Sequence, residues 1–144
     1  TPYAVPLLPG FCHAMRRRDF ETVGGYDNGM SQWGGEDLEL ALRVWLLGFE
    51  LVVQPAALVY HLFRERIPYR VDPAQVLYNK LRLAFVHFND DRFARVIAHY
   101  REWAAFQSGL VYLLESDASA RRRELRGSRV RDDDLFVARF GCAL

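Results

Sequence analysis

Three acids, a tryptophan and two adjacent glycines stand at the front of SQWGGEDLELALRVWLLG, Ser31 to Gly48. Adjacent glycines such as Gly34 and Gly35 open backbone conformations closed to other residues and let a ligand approach the main chain. Trp33 offers a flat apolar wall with a single N–H donor. Glu36 and Asp37 fall on the first turn of a helical pattern, where the macrodipole favours carboxylates. These residues alone leave two readings open: the charged start of a helix beside a core tryptophan, or one wall of an active site. Asp37 and Glu39 point in different directions and do not serve one site together.

His61 is the second candidate. It ends the apolar strand pattern ALVYH and is followed by Phe63, Arg64 and Arg66. Strand ends are where sites of α/β folds collect, and imidazole is the commonest protein metal ligand. One histidine is not a metal site by itself. Arg64 and Arg66, with Tyr69 beyond, form a basic and aromatic patch able to clamp a diphosphate bidentately, or else a solvated loop. His13, His87 and His99 read as hydrogen-bonded core or loop residues. His87 and His99 lie on helical patterns with no acidic neighbour at useful spacing.

Elements must hold these groups in place. Leu38, Ala41, Leu42 and Trp45 recur at i, i+3, i+4 and i+7, which predicts a helix with one buried face and Gly48 as its terminal glycine. FCHAM, FELVV and ALVYH read as short strands, and RRRDFETVGGYD as a short helix ended by Gly24 and Gly25. Ala74 to Phe88 reads as a long helix, and Asn89-Asp90 as the cap of another running to Tyr100 or Phe106. The tail SARRRELRGSRVRDDD alternates basic and acidic runs, the pattern of a solvated, salt-bridged or partly mobile surface.

The 144 residues are 51% hydrophobic, enough to bury the core of one domain. A formal net charge of +1 argues for neither nucleic acid nor an anionic membrane as partner. No stretch approaches the roughly 20 apolar residues of a membrane span. Lys80 is the only lysine among 19 basic residues, and the rest are arginines. Guanidinium suits carboxylate and phosphate contacts, while a GC-rich coding sequence gives the same bias. Cys12 and Cys142 fit no zinc spacing and are expected as buried free thiols. The opening TPYAVPLLPGF carries neither a signal-peptide pattern nor an initiating methionine and reads as cut from something longer.

Taken together, VGGYDNGMSQWGGEDLELALRVWLLG and VYHLFRERIPY resemble the C-terminal part of the catalytic domain of polypeptide N-acetylgalactosaminyltransferases. More broadly they are similar to family 2-type glycosyltransferases and β-1,4-galactosyltransferases of the GT-A fold. The resemblance includes the opening TPY and the NKLR step at Asn79 to Arg82, and runs to about Phe88. It implies an α/β architecture: the acceptor-side part of a Rossmann-like GT-A domain over residues 1–73, with residues 74–144 as its helical extension. It also implies roles. Asp37 aligns with the base of inverting relatives, and Glu36 with a carboxylate that binds a sugar hydroxyl. Trp33, Gly34 and Gly35 align with the sugar wall, Arg64 and Tyr69 with a loop that closes on the UDP diphosphate, and His61 with a manganese ligand. Gly24, Gly25, Asp27 and Met30 are the structural lead-in. Retaining relatives carry Glu-Asn where Glu36-Asp37 stands, so the stereochemistry stays open.

Two departures accompany the match. Ile67 stands where the family often has histidine, and no DxD or DxH motif precedes the signature; DDD at Asp132 to Asp134 lies in surface-like sequence. The expectation is therefore a glycosyltransferase using manganese and a UDP-sugar, acting on a hydroxyl of a glycan, lipid or protein. An upstream nucleotide-binding half would complete the site, so the isolated chain is expected to be inactive. The expected source is bacterial, and the expected location is the cytoplasm or the inner face of the membrane. The alternative is a non-catalytic sugar-binding or interaction module built on the same fold.

Overall fold

The firmest helical pattern of the sequence becomes the helix with the longest unbroken buried run. The structure, a computed structural model, describes residues 1–65 and 68–141. In chain order the elements are β1 (Tyr3–Ala4), α1 (Arg17–Thr22), α2 (Glu36–Leu46), β2 (Val52–Val53), α3 (Pro73–His87), α4 (Asp90–Tyr100), α5 (Phe106–Glu115), α6 (Ala118–Ser128) and α7 (Asp133–Phe140). Every residue of α2 from Glu39 to Leu46 is buried. The apolar stripe is therefore wider than one face, and Leu38, expected in it, stays exposed on the first turn. Gly48 closes the helix at φ +96°.

Two apolar clusters make the core. One gathers Leu40, Val44, Trp45 and Leu51 with Ala84, Phe88 and Phe136, joining α2, α3 and α7. The other holds Leu77, Leu81, Val86, Leu113 and Leu125 between α3, α5 and α6. Helix α3 belongs to both. It begins on Pro73 behind Asp72, whose carboxylate accepts from the Ala74 N–H, and Asn89 caps α4 through the Arg92 N–H. Its C-terminal carbonyls are met by guanidinium groups: Arg122 donates to Phe85 O at 2.6 Å, Arg129 to His87 O at 3.0 Å and Arg126 to Phe88 O at 3.3 Å. Cations at a helix C-terminus satisfy its orphan acceptors and complement its dipole.

Three expectations need correction. DDD is not plain surface: Asp132 caps α7 by accepting from the Leu135 N–H, while Asp133 is 2% exposed and ion-paired with Arg92. Of the expected strands, only Val52–Val53 forms, antiparallel to Tyr3–Ala4. FCHAM and ALVYH are not strands, because a strand needs a paired neighbour and the described residues supply one short pairing. The fold is thus a mixed, mostly helical one with a small sheet. Cys12 is exposed rather than buried, and Cys142 lies outside the described residues. No described helix is long and apolar enough to cross a membrane.

Candidate active site

The segment from Asp27 to Asp37 is shaped by side chains of α3 lying some fifty residues later. Arg82, fully buried, donates from Nε and Nη2 to both oxygens of Asp27 at 2.8 and 2.9 Å. Burial would raise the Asp27 carboxyl, but the Arg82 hydrogen bonds and charge hold it below the usual range. Asn79 closes the next turn: its carbonyl accepts from the Ser31 N–H at 2.9 Å, and its amide donates to Ser31 O and Gly34 O at 2.8 and 3.0 Å. Tyr78 donates to Gly29 O at 2.6 Å. Gly29 has to be glycine, since a Cβ there would stand 2.0 Å from the Arg82 guanidinium.

The turn before α2 uses left-handed backbone, with Gly34 at φ +116° and Gly35 at +90°, a region that side chains rarely enter. Gly35 is the N-cap and offers no side-chain cap. Neither acid caps in its place. Glu36 Oε2 reaches back to the Gly34 N–H at 2.8 Å. Asp37 accepts from the Gly10 N–H at 3.0 Å through Oδ2, and from the Leu38 N–H at 2.8 Å through Oδ1. Both carboxylates are thus oriented by backbone donors and retain further acceptor capacity. Burial, then the charges of Asp37 and Glu36, push the Tyr26 hydroxyl up, and Tyr26 Oη lies 3.2 Å from His13 Nε2.

A cleft of about 590 Å3 gathers the residues marked in the sequence: Trp33, Glu36, Asp37, His61, Arg64 and Tyr69. Trp33 is half exposed, not core. Trp33, Glu36 and Tyr69 also line an adjoining cleft with Arg70 and Val71. His61 is exposed, not at a strand end, and its ring packs between Phe11 and Phe63 at centroid distances of 4.6 and 4.3 Å. Arg66 and Ile67 lie outside the described residues. A cleft with two oriented carboxylates, aromatic walls and a guanidinium can bind a sugar, deprotonate a hydroxyl and meet an anionic leaving group.

The known proteins with similar sequences are glycosyltransferases. Residues 2–65 match a family model described as the N-terminal domain of galactosyltransferase. The chain is 45% identical over 85 residues to Probable N-acetylgalactosaminyltransferase 8 of Caenorhabditis elegans, a match covering 58% of this chain and 20% of that protein. It is 40% identical over 99 residues to Polypeptide N-acetylgalactosaminyltransferase 11 of Xenopus tropicalis, covering 65% of this chain and 16% of that protein. The chain resembles the GT-A glycosyltransferases. It spans a fifth or less of the length of these relatives.

Within this glycosyltransferase-like segment the metal expectation meets a limit. Among the described residues no group of three or more His, Cys, Asp or Glu side chains could hold a metal ion. His61 would be one ligand, so the residues present do not by themselves fit a manganese centre. Glu39 also departs from its sequence reading, while His87 is the buried, hydrogen-bonded residue that was expected. Glu39, read as a charge at the helix start, is fully buried; Arg43 donates to its oxygens at 2.7 and 2.9 Å, and His87 Nε2 stands 2.8 Å from Oε1. Arg43 also donates to Val23 O and to Gly25 O, which pins the Gly24-Gly25 turn. The i, i+4 spacing of Glu39 and Arg43 beside a buried stripe was the available signal. Nothing local to His87 announces a partner 48 positions away.

Proposed function

We propose that this chain supplies the acceptor-side wall of a glycosyltransferase site, in which a sugar passes from a nucleotide-linked donor, UDP-linked by the family resemblance, to a hydroxyl. The observation that carries this reading is the single cleft uniting Trp33, Glu36 and Asp37 with His61, Arg64 and Tyr69, two groups separated in sequence by a helix and a short strand. Asp37 is the base that takes the proton of the acceptor hydroxyl, its orientation fixed by the Gly10 and Leu38 N–H groups. Glu36 accepts from a sugar hydroxyl, with Trp33 as the apolar wall behind the ring. Arg64 faces the departing diphosphate, where its planar fork matches phosphate oxygens. The names of the relatives favour N-acetylgalactosamine as the sugar and polypeptide as the acceptor.

The test is a mass-spectrometric donor screen on the complete protein, with manganese present and glycan, lipid and peptide acceptors in parallel. Transfer from a UDP-sugar is expected, UDP-N-acetylgalactosamine first. Asp37→Asn should lower turnover by roughly 10²- to 10⁴-fold, the usual contribution of general base catalysis, with thermal stability kept. Undiminished turnover in Asp37→Asn and Glu36→Gln would return both acids to the helix start. Donor binding without any turnover would favour the sugar-binding module instead.

A further inference from the structure

Trp33, Glu36 and Tyr69 line both the site cleft and an adjoining cleft of about 420 Å3, which Gln32, Arg70 and Val71 complete. The adjoining cleft is rich in donors whose bonds are unmade. Arg70 is exposed and has neither a hydrogen bond nor an ion pair among the described residues. The carboxylate nearest to it in sequence, Asp72, is taken up by the Ala74 N–H at 2.9 Å. Gln32 uses its carbonyl to accept from the Asp72 N–H at 3.3 Å, which leaves its amide hydrogens free. The Trp33 N–H and the Tyr69 hydroxyl make no bond among the described residues either. Against these donors stands one carboxylate, Glu36, held by the Gly34 N–H at 2.8 Å. Donors in excess match a ligand rich in carbonyl and carboxylate oxygens, and a planar guanidinium matches a carboxylate bidentately. A polypeptide with an acidic side chain carries both.

We infer that Arg70 is a specificity-determining residue. The acceptor polypeptide runs from the site cleft past Glu36 and Tyr69 into the adjoining cleft, where Arg70 selects an acidic side chain a few residues from the modified hydroxyl. The inference rests on the proposed transfer to a polypeptide hydroxyl. The diphosphate is proposed to lie at Arg64, which lines the site cleft and not the adjoining one, so the anion that Arg70 meets belongs to the acceptor. Gln32 and Trp33 add donors for main-chain carbonyls on the same path, and these ask nothing of the peptide sequence.

The test uses the complete protein and pairs of threonine peptides that differ only in a glutamate or a glutamine, walked along the few positions on either side of the threonine. At one of those positions glutamate should raise kcat/KM about tenfold over glutamine, the low end for a charge-assisted bond. The advantage should shrink as salt rises. Arg70→Glu should invert the preference, so that lysine at that position outperforms glutamate; if that variant does not fold, Arg70→Gln, which should abolish the preference, takes its place. Equal kcat/KM for glutamate and glutamine at every position would overturn the inference. So would a glutamate preference that survives the substitution, or a loss of UDP affinity in the variant as large as that in Arg64→Ala, which would place Arg70 at the donor. Transfer to peptides without any charge preference strikes this inference alone. Where no peptide is modified, the proposed reaction falls, and calorimetric binding of the same peptide pairs to the native protein and the variant decides the role of Arg70.

Discussion

The two walls of the cleft are built in opposite ways. The carboxylate wall, Asp27 to Asp37, is tied to α3 by Asp27–Arg82, by the three Asn79 bonds and by Tyr78, all buried or nearly so. The arginine wall runs through Tyr60, Leu62 and Phe63, which are 94%, 88% and 80% exposed. There His61 is held by ring contacts with Phe11 and Phe63, and among the described residues Arg64 has no ion-pair partner. Few buried contacts mean low local stability. The comparison teaches a division of labour: the groups proposed to handle the proton and the sugar hydroxyl stand on a braced scaffold. The groups proposed to meet the diphosphate take their position from what they touch.

The comparison breaks most directly at Arg82. Arg82→Met leaves the buried Asp27 carboxylate unpaired and frees the Gly29 turn, and should cost about 3–5 kcal/mol by urea denaturation, the range for breaking a buried pair. A loss under about 1 kcal/mol would mean that the scaffold does not depend on this pair.

Acid should act next, through Glu39. Burial opposes its ionisation, yet the bonds from His87 and Arg43 prevail and hold its carboxyl at about 2, against an ordinary 4.5. A depressed folded value adds stability that is complete above the unfolded value and lost as pH falls through the folded one. Stability should therefore hold down to about pH 4.5 and fall by about 3 kcal/mol towards pH 2. Glu39→Gln should flatten that fall, and a native chain with no slope across the window would remove Glu39 from the account.

Much of this was legible beforehand, and the pattern of success has a physical reason. Helices α2, α3 and α4 were readable because their periodicity, Gly48, Pro73 and Asn89 are local signals that need no partner. Trp33, Glu36, Asp37, His61, Arg64 and Tyr69 line one cleft, and the roles that the family resemblance implies for them are proposals. What escaped was pairing at a distance. Asp27 read as a lead-in residue and Asp133 as surface, yet each is buried against a partner far along the chain; His87 read as a hydrogen-bonded residue, but its partner Glu39 was not foreseen. A charged run looks solvated until its partner is known. The strands failed for a related reason, since ALVYH has the side chains of a strand but no neighbouring strand to pair with among the described residues.

The smallest expected effects on stability lie on the arginine wall, and they sharpen the comparison most. Arg64→Ala and His61→Ala remove exposed side chains from a segment with little beneath it. Each should change unfolding free energy by less than about 0.5 kcal/mol. Binding should separate the two walls. Loss of a charge-assisted bond to phosphate is worth about 1.5–3 kcal/mol, so Arg64→Ala should weaken UDP binding by the complete protein about tenfold or more in calorimetry. Arg64→Lys keeps the charge but not the planar fork and should fall between the two. Unchanged UDP affinity in Arg64→Ala would show that the diphosphate is met elsewhere. A stability loss matching that of Arg82→Met would show that this wall is braced after all, and the proposed division of labour would then have no basis.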